Sequence, residues 1–167
     1  MDSSLDTLNI LSVFRQVFLK INCQFYGGTE YIMIKLITGK KGSGKTKILI
    51  DMINDSVKST NGDLVCIEKG DNLRRAISYK VRWCDSEYFN IAGADAFYGF
   101  IAGMLAGNYD IKEIFVDGIF KIIGADADEL GILLDKIAKL TGDETAVVFT
   151  ISADNSELPE SVTKFID

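Results

Sequence analysis

Glycine, lysine and threonine recur between Gly39 and Thr46 at a spacing that suits the binding of phosphate groups. This segment follows the pattern G-x-x-x-x-G-K-[ST], which ends here in Gly44, Lys45 and Thr46. Glycines let the backbone adopt positive φ, so that successive N–H groups can point at the oxygens of one anion. The ammonium group of Lys45 and the hydroxyl group of Thr46 would then contact terminal phosphates and a bound Mg²⁺. The spacing therefore predicts a site for a phosphorylated ligand and its magnesium ion.

The residues expected to contact this ligand form one continuous run. They are Gly39, Lys40, Lys41, Gly42, Ser43, Gly44, Lys45, Thr46 and Lys47. The run resembles the Walker A motif of P-loop NTPases, and the resemblance covers the chain from about Ile32 to its end. The resemblance implies ATP as the nucleotide, Mg²⁺ as its counter-ion and a catalytic role for Lys45 at the β- and γ-phosphates.

A strand must lead into this loop and a helix must lead out of it. Before the loop, residues 32–37 are mainly apolar, which predicts a buried strand. After it, apolar side chains recur at helical spacing from Lys45 to Val57, at positions 48, 49, 52, 53 and 57. The predicted helix would direct the positive end of its dipole at the phosphates.

Asp117 is the candidate metal ligand, together with the hydroxyl group of Thr46. It directly follows the apolar run 114–116, and an apolar strand that ends in Asp resembles the Walker B motif. In that motif the carboxylate completes the magnesium site with the hydroxyl group of the P-loop. The next residue, Gly118, departs from the AAA and ABC ATPases, which place a catalytic Glu there. The general base must therefore come from elsewhere, or hydrolysis must be slow.

Glu68 is the candidate for that base. It ends the apolar run 64–67, and it looks similar in position to the glutamate with which RecA-like ATPases polarise the attacking water. This similarity favours the RecA-like branch of the P-loop NTPases. The alternative is a solvated acid at the end of a strand, paired with Lys69.

Three further residues receive roles from the same resemblance. Ser152 follows the predicted strand 146–151, where RecA-like and AAA proteins place a polar sensor of the γ-phosphate; an ordinary hydroxyl at a strand end is the alternative. Arg74 and Arg75 lie in a basic segment, residues 69–82, and are candidate arginine fingers for a neighbouring subunit. A solvated basic surface, or a surface for a protein partner, is the favoured alternative for the two arginines.

Strands alternate with helices along residues 32–167, which predicts an α/β fold. The resemblance makes this the three-layer P-loop NTPase fold, with a mainly parallel sheet. Residues 77–83 alternate between apolar and polar side chains, and residues 88–91 could pair with them. An antiparallel hairpin is therefore expected, either inserted in the sheet or at its edge. A capping box at Asp126 predicts the start of a helix, and Pro159 predicts the start of a short closing helix.

Residues 93–107 predict a helix with almost no polar face. Gly99, Gly103 and Gly107 repeat every four residues and would let another backbone approach closely. Packing against the sheet is the favoured interpretation, and a subunit interface is the alternative. The run is too short to cross a membrane, and it contains Asp95.

The chain divides into residues 1–31, an N-terminal extension, and residues 32–167, the predicted nucleotide-binding domain. The extension has neither the basic start of a secretion signal nor the roughly 18 to 20 uninterrupted apolar residues of a membrane span. Gly27-Gly28 can be encoded by GGAGGA, a bacterial ribosome-binding sequence, a few codons before Met33. One hypothesis is that Met33 is the natural start and that residues 1–32 are a translated leader. The alternative is an amphipathic helix that docks on the domain or on a partner.

The composition excludes several kinds of chemistry. Among the 167 residues there is no His, so His-activated nucleophiles and His-ligated metals are excluded. A net charge of -6 argues against broad binding of nucleic acid, since that affinity depends on basic side chains. The three cysteines show no C-x-x-C spacing, so they indicate neither a zinc site nor a disulfide framework and fit a reducing cytoplasm.

Three functions agree with these features. The first is a RecA-like ATPase in which Lys45, Thr46, Asp117 and Glu68 act on Mg-ATP, in a homo-oligomer or with a protein partner. The second is a binding module, or switch, in which ATP stabilises one conformation and is not hydrolysed. The third is a small-molecule kinase. ATP is expected rather than GTP because the chain has no N-K-x-D or T-K-x-D element.

Overall fold

A five-stranded parallel sheet lies at the centre of the protein. The computed structural model describes residues 24–25 and 31–166. Two short strands, β1 (Gln24–Phe25) and β2 (Tyr31–Ile32), form a separate antiparallel pair. The central sheet contains β3 (Ile34–Thr38), β4 (Asp63–Glu68), β5 (Arg82–Asp85), β6 (Ile111–Val116) and β7 (Ala146–Ile151). Its order is β3-β7-β6-β4-β5, and every neighbouring pair is parallel, so the predicted α/β class with a mainly parallel sheet is confirmed.

Five α-helices lie within residues 31–166. They are α1 (Lys45–Ser59), α2 (Ala94–Gly107), α3 (Ile119–Ile123), α4 (Ala127–Thr141) and α5 (Glu160–Thr163). The helices predicted after the glycine-rich loop, over residues 93–107 and after Asp126 are confirmed. The Asp126 carboxylate caps α4 by accepting hydrogen bonds from the backbone N–H groups of Asp128 and Glu129, each at 3.0 Å. No helix in this part of the chain combines the length and the apolar character that crossing a membrane requires.

Helices cover both faces of the sheet, and each face has its own core. Alternate residues of a strand point to opposite faces, so Ile114 and Val116 of β6 pack on one side and Phe115 packs on the other. The side of Phe115 is covered by α1 through the buried Leu49 and Ile53. The opposite side is covered by α2, α3, α4 and α5, whose buried apolar residues form one larger core. The central strands are therefore covered on both faces, as parallel strands require.

The antiparallel hairpin predicted over residues 77–91 is wrong. β5 pairs parallel to β4, with Arg82 opposite Val65. Residues 69–81 form the crossover between the two strands, with turns such as the one closed by the Ala76 N–H and the Leu73 carbonyl (2.8 Å). The Leu73 side chain is buried in the core under α1, which holds the crossover on the sheet. Because the crossover returns the chain to the same end of the sheet, the next strand runs parallel to β4.

The helix predicted over residues 93–107 packs on the sheet through Phe97 and Ile101, which are fully buried. Its glycines do not take part in this packing. Gly99, Gly103 and Gly107 are exposed, and a methyl group at any of them would meet no described atom within 4 Å apart from its chain neighbours and the backbone of its own helix. The expectation that the glycine stripe packs against the sheet is therefore wrong. The large apolar side chains of α2 supply the surface that the sheet buries.

Candidate functional site

The loop between β3 and α1 owes its shape to three glycines. Gly39, Gly42 and Gly44 have φ angles of 140°, 84° and 86°, a region that favours glycine. A side chain at residue 39 would also meet the Ser43 hydroxyl group at 2.7 Å. The helix α1 begins directly after the loop, at Lys45. The loop therefore lies between the carboxyl end of a buried strand and the N-terminus of a helix, where phosphate binding is favoured.

The side chain of Lys45 folds back against this loop and is only 7% exposed. Its ammonium group donates to the carbonyl oxygens of Gly39 (2.6 Å) and Lys40 (2.7 Å). Burial lowers the pKa of this ammonium group, although nearby carboxylates, chiefly Asp117, partly oppose the shift. Within the described residues, no carboxylate forms an ion pair with it. A buried ammonium group that donates to neutral carbonyl oxygens can donate to anionic oxygens in their place.

Asp117 and Thr46, which were predicted from separate motifs, are in direct contact. The Thr46 hydroxyl group lies 3.1 Å from Oδ1 and 3.4 Å from Oδ2 of Asp117. The Asp117 side chain is largely buried, and its backbone N–H donates to the Ile67 carbonyl of β4 at 2.9 Å. The structure thus brings together two oxygen donors of the kind that Mg²⁺ prefers.

Thr150 is a site residue that the sequence analysis missed. Its hydroxyl group is 1% exposed, donates to Asp117 Oδ1 at 2.8 Å and accepts from the Gly118 N–H at 2.7 Å. β7 pairs with β6, and the register places Phe149 opposite Val116, so Thr150 and Asp117 are the next residues on the two chains. The sequence held one signal: Thr150 is a hydroxyl residue within the otherwise apolar run 146–151, and buried hydroxyl groups need partners. Thr150 therefore fixes the orientation of the Asp117 carboxylate.

Thr150→Val is expected to lower the free energy of unfolding by about 1 to 3 kcal/mol, because the Gly118 N–H and one Asp117 oxygen lose a buried partner. Thr150→Ser keeps the hydroxyl group and is expected to cost less. Urea unfolding of the parent and both variants, followed by circular dichroism, measures the difference. Equal losses in the two variants would assign the effect to packing instead of hydrogen bonding.

Glu68 is buried, and both of its carboxylate oxygens are engaged. Oε1 accepts from the Leu73 N–H (2.7 Å) and from the Trp83 indole N–H (2.8 Å), and Oε2 accepts from the Asn72 N–H (3.1 Å). These bonds tie the crossover 69–81 to the ends of β4 and β5. To act as a base, the carboxylate would have to release some of these donors. The catalytic role of Glu68 stays a prediction.

Glu68→Gln separates the structural role from the catalytic one. A glutamine presents an NH₂ group to at least one of the N–H donors, so we expect a loss of about 1 to 3 kcal/mol in the free energy of unfolding. Trp83 is the one tryptophan of the chain, so its fluorescence reports directly on loosening around residue 68. Glu87→Gln, at an exposed acid, is the control. If the variant lost phosphate release but kept its stability and fluorescence, the result would contradict the structural role of Glu68 and support its role as the general base.

The candidate sensor and arginine fingers lie at the surface. Ser152 is exposed directly after β7. Arg74 and Arg75 are also exposed, and the Arg74 guanidinium group lies 5.1 Å from the centre of the Trp83 ring. Among the described residues, none of these three forms a hydrogen bond with Thr46 or Asp117. Their proposed roles stay predictions.

The segment after β7 supports the glycine-rich loop from the side. The Gly39 N–H donates to the Ala153 carbonyl at 2.8 Å. The Lys40 ammonium group pairs with Asp154 at 3.2 Å, and this hydrogen-bonded pairing raises the pKa of Lys40. The remaining predicted contact residues are exposed: Lys41, Gly42, Ser43, Gly44, Thr46 and Lys47. The loop is therefore held in shape from one side while its outer residues face solvent.

The oxygen ligands near Asp117 suit Mg²⁺, which commonly has few protein ligands, better than they suit a metal ion whose ligands all come from the protein. Among the described residues, no group of three or more Cys, Asp and Glu side chains could hold a metal ion. Thr46 and Asp117 offer oxygen ligands only. Mg²⁺ is commonly bound by one or two such groups, with phosphates and water completing its octahedron.

Comparison with models of known protein families gives no match for this chain. A search among curated proteins likewise finds no match. The residues of the site and their geometry therefore provide the basis for the function proposed below.

Proposed function

We propose that this chain is a P-loop NTPase that binds Mg-ATP. The observation that carries the proposal is the contact between the Thr46 hydroxyl group and the Asp117 carboxylate, which lie 71 positions apart in the sequence. Each residue was predicted from a different motif, one resembling Walker A and the other Walker B. The contact places a hydroxyl oxygen and a carboxylate next to the glycine-rich loop. Two such oxygen ligands are suited to share a cation beside a bound phosphate.

The residues of the site then have distinct tasks. The backbone N–H groups of residues 39–46 hold phosphate oxygens, assisted by the N-terminus of α1. Lys45 exchanges its carbonyl partners for the β- and γ-phosphates, and Thr46 and Asp117 hold the metal. Thr150 keeps the Asp117 carboxylate in position. When bound, Mg²⁺ neutralises phosphate charge and polarises the terminal phosphoryl group.

The positions of the strands support one shared site. β7 lies between β3, which leads into the glycine-rich loop, and β6, which leads to Asp117. The site also lies at the carboxyl ends of the strands, where parallel α/β sheets bind nucleotides. Cys66 and Cys84, which are free and buried, agree with the cytoplasmic location that we propose.

A second function, an ATP-dependent binding module, is favoured by the state of Glu68. Gly118 offers no carboxylate beside Asp117, and the Glu68 carboxylate is occupied by three N–H donors. Water is a poor nucleophile without a base to orient it. We therefore expect hydrolysis to be slow, so that the ATP-bound form persists long enough for a protein partner or a second copy of the chain to recognise it.

Calorimetric titration with Mg-ATP tests the proposal directly. We expect one nucleotide to bind per chain, with a dissociation constant in the range of roughly 1 μM to 1 mM over which enzymes bind substrates. Phosphate release by the same protein separates the two functions, because a binding module would turn over far more slowly than the ~1 s⁻¹ of slow enzymes. A flat titration with protein that is folded by circular dichroism would overturn both.

A further inference from the structure

Lys121 lies beside the site described above, on the short helix α3 that starts directly after Asp117 and Gly118. Three of the five residues of α3 are buried, so the helix is fixed against the core. The Lys121 side chain is exposed and folds back over Gly118. A β-carbon at residue 118 would lie 3.1 Å from its Cδ, 3.2 Å from its Cε and 3.4 Å from its Nζ. The lack of a side chain at Gly118 therefore leaves room for Lys121 at the end of β6.

Lys121 and Lys40, two exposed lysines near the site, differ in their ion pairs. Within the described part of the chain no carboxylate forms an ion pair with its ammonium group, whereas the exposed Lys40 pairs with Asp154. Lys45 directly precedes Thr46, which contacts Asp117, and Lys121 lies against Gly118, which directly follows Asp117. Two cations are thus held near the end of β6. A multiply charged anion between them would relieve their repulsion.

We propose that Lys121 recognises the γ-phosphate and lets the site distinguish a nucleoside triphosphate from a diphosphate. The inference rests on the proposed function, because Lys45, Thr46 and Asp117 define how the nucleotide lies. Asp117 would hold the metal beside the terminal phosphates, so the residues that directly follow Asp117 would lie near the γ-phosphate. An ammonium group there donates charge-assisted hydrogen bonds to γ-phosphate oxygens and has no such partner in a diphosphate. α3 is then the element whose contacts differ between the two nucleotide states.

Lys121→Gln tests this assignment when binding is measured by calorimetry with two ligands. One is Mg-ADP, and the other is the magnesium complex of adenylyl imidodiphosphate, an ATP analogue that is not hydrolysed. We expect affinity for the analogue to fall about tenfold, and affinity for Mg-ADP to change by less than about twofold. Lys121→Arg keeps the charge and is expected to retain part of the preference. Lys139→Gln, at an exposed lysine in the last turn of α4, is the matched control.

The possible results separate this inference from the function on which it rests. Parent protein that binds neither ligand would reject the proposed function and the role of Lys121 together. Parent protein that binds both, with Lys121→Gln weakening both equally or neither, would leave the function standing and overturn the role of Lys121. Retained affinity for Mg-ADP shows that the variant is folded, because it requires an intact loop at residues 39–46.

Discussion

Lys45→Met is expected to weaken the binding of Mg-ATP by at least about a hundredfold. The Lys45 ammonium group is buried and donates to two backbone carbonyl groups, so it is already placed to donate to phosphate oxygens. Removing one partner of a buried, hydrogen-bonded charge pair costs about 2 to 5 kcal/mol, and each 1.4 kcal/mol is about tenfold in affinity. Methionine keeps the length and the apolar stem of the side chain, so the packing around residue 45 is retained. Calorimetry with Mg-ATP measures the loss.

Lys58→Met is the matched control for this variant. Lys58 lies in the last turn of the same helix, its side chain is 75% exposed, and it pairs with Asp55. Its replacement is expected to leave nucleotide affinity unchanged, since exposed pairs contribute little and this one is remote from the loop. If Lys45→Met bound Mg-ATP within about threefold of the parent, phosphate would have to bind elsewhere than at residues 39–46.

The glycine-rich loop and the helix after it could be predicted because the chemistry restricts the residue type at each position. The loop has positive φ at Gly39, Gly42 and Gly44, and few other residues tolerate such a conformation. The apolar periodicity of α1 similarly follows from the single face that it buries. The local sequence was therefore sufficient to predict the loop and the helix α1.

The direction of β5 could not be predicted because it depends on contacts that are distant in the sequence. An alternating run such as residues 77–83 suits a parallel or an antiparallel neighbour equally well. The direction of β5 is set by the crossover 69–81, which is held in place by the Glu68 carboxylate and by the burial of Leu73. Neither contact leaves a periodic pattern in the sequence.

Two residues to which the sequence analysis gave no role, Thr150 and Lys121, lie against Asp117 and Gly118. Thr150 contacts Asp117 because β7 is the strand beside β6. The order of the strands in the sheet cannot be predicted from the sequence of either strand. Lys121 reaches Gly118 because α3 turns back immediately after β6. Motifs therefore identified the loop and Asp117, whereas Thr150 and Lys121 could be placed beside them only from the three-dimensional structure.

Asp117→Asn is expected to remove most of the contribution of magnesium to ATP affinity. The Asp117 carboxylate accepts from Thr46 and Thr150, and it supplies the negative charge that Mg²⁺ prefers in a ligand. Asparagine keeps an oxygen for Thr150 but carries no charge. Changes to residues that merely orient a metal ligand cost about 10- to 100-fold in metal affinity, so loss of the ligand itself should cost at least as much. The ratio of ATP affinities measured with magnesium and with EDTA should therefore fall close to one.

The comparison in EDTA distinguishes loss of the metal site from a general defect. Without magnesium, Asp117→Asn is expected to bind ATP as tightly as the parent or more tightly, because the carboxylate no longer repels the phosphates. A damaged fold would instead weaken binding under both conditions. Asp135→Asn, which removes a carboxylate that pairs with Lys164, is expected to keep the ratio of the parent. A parental ratio in Asp117→Asn would place the metal elsewhere and leave the contact between Thr46 and Asp117 without a role in nucleotide binding.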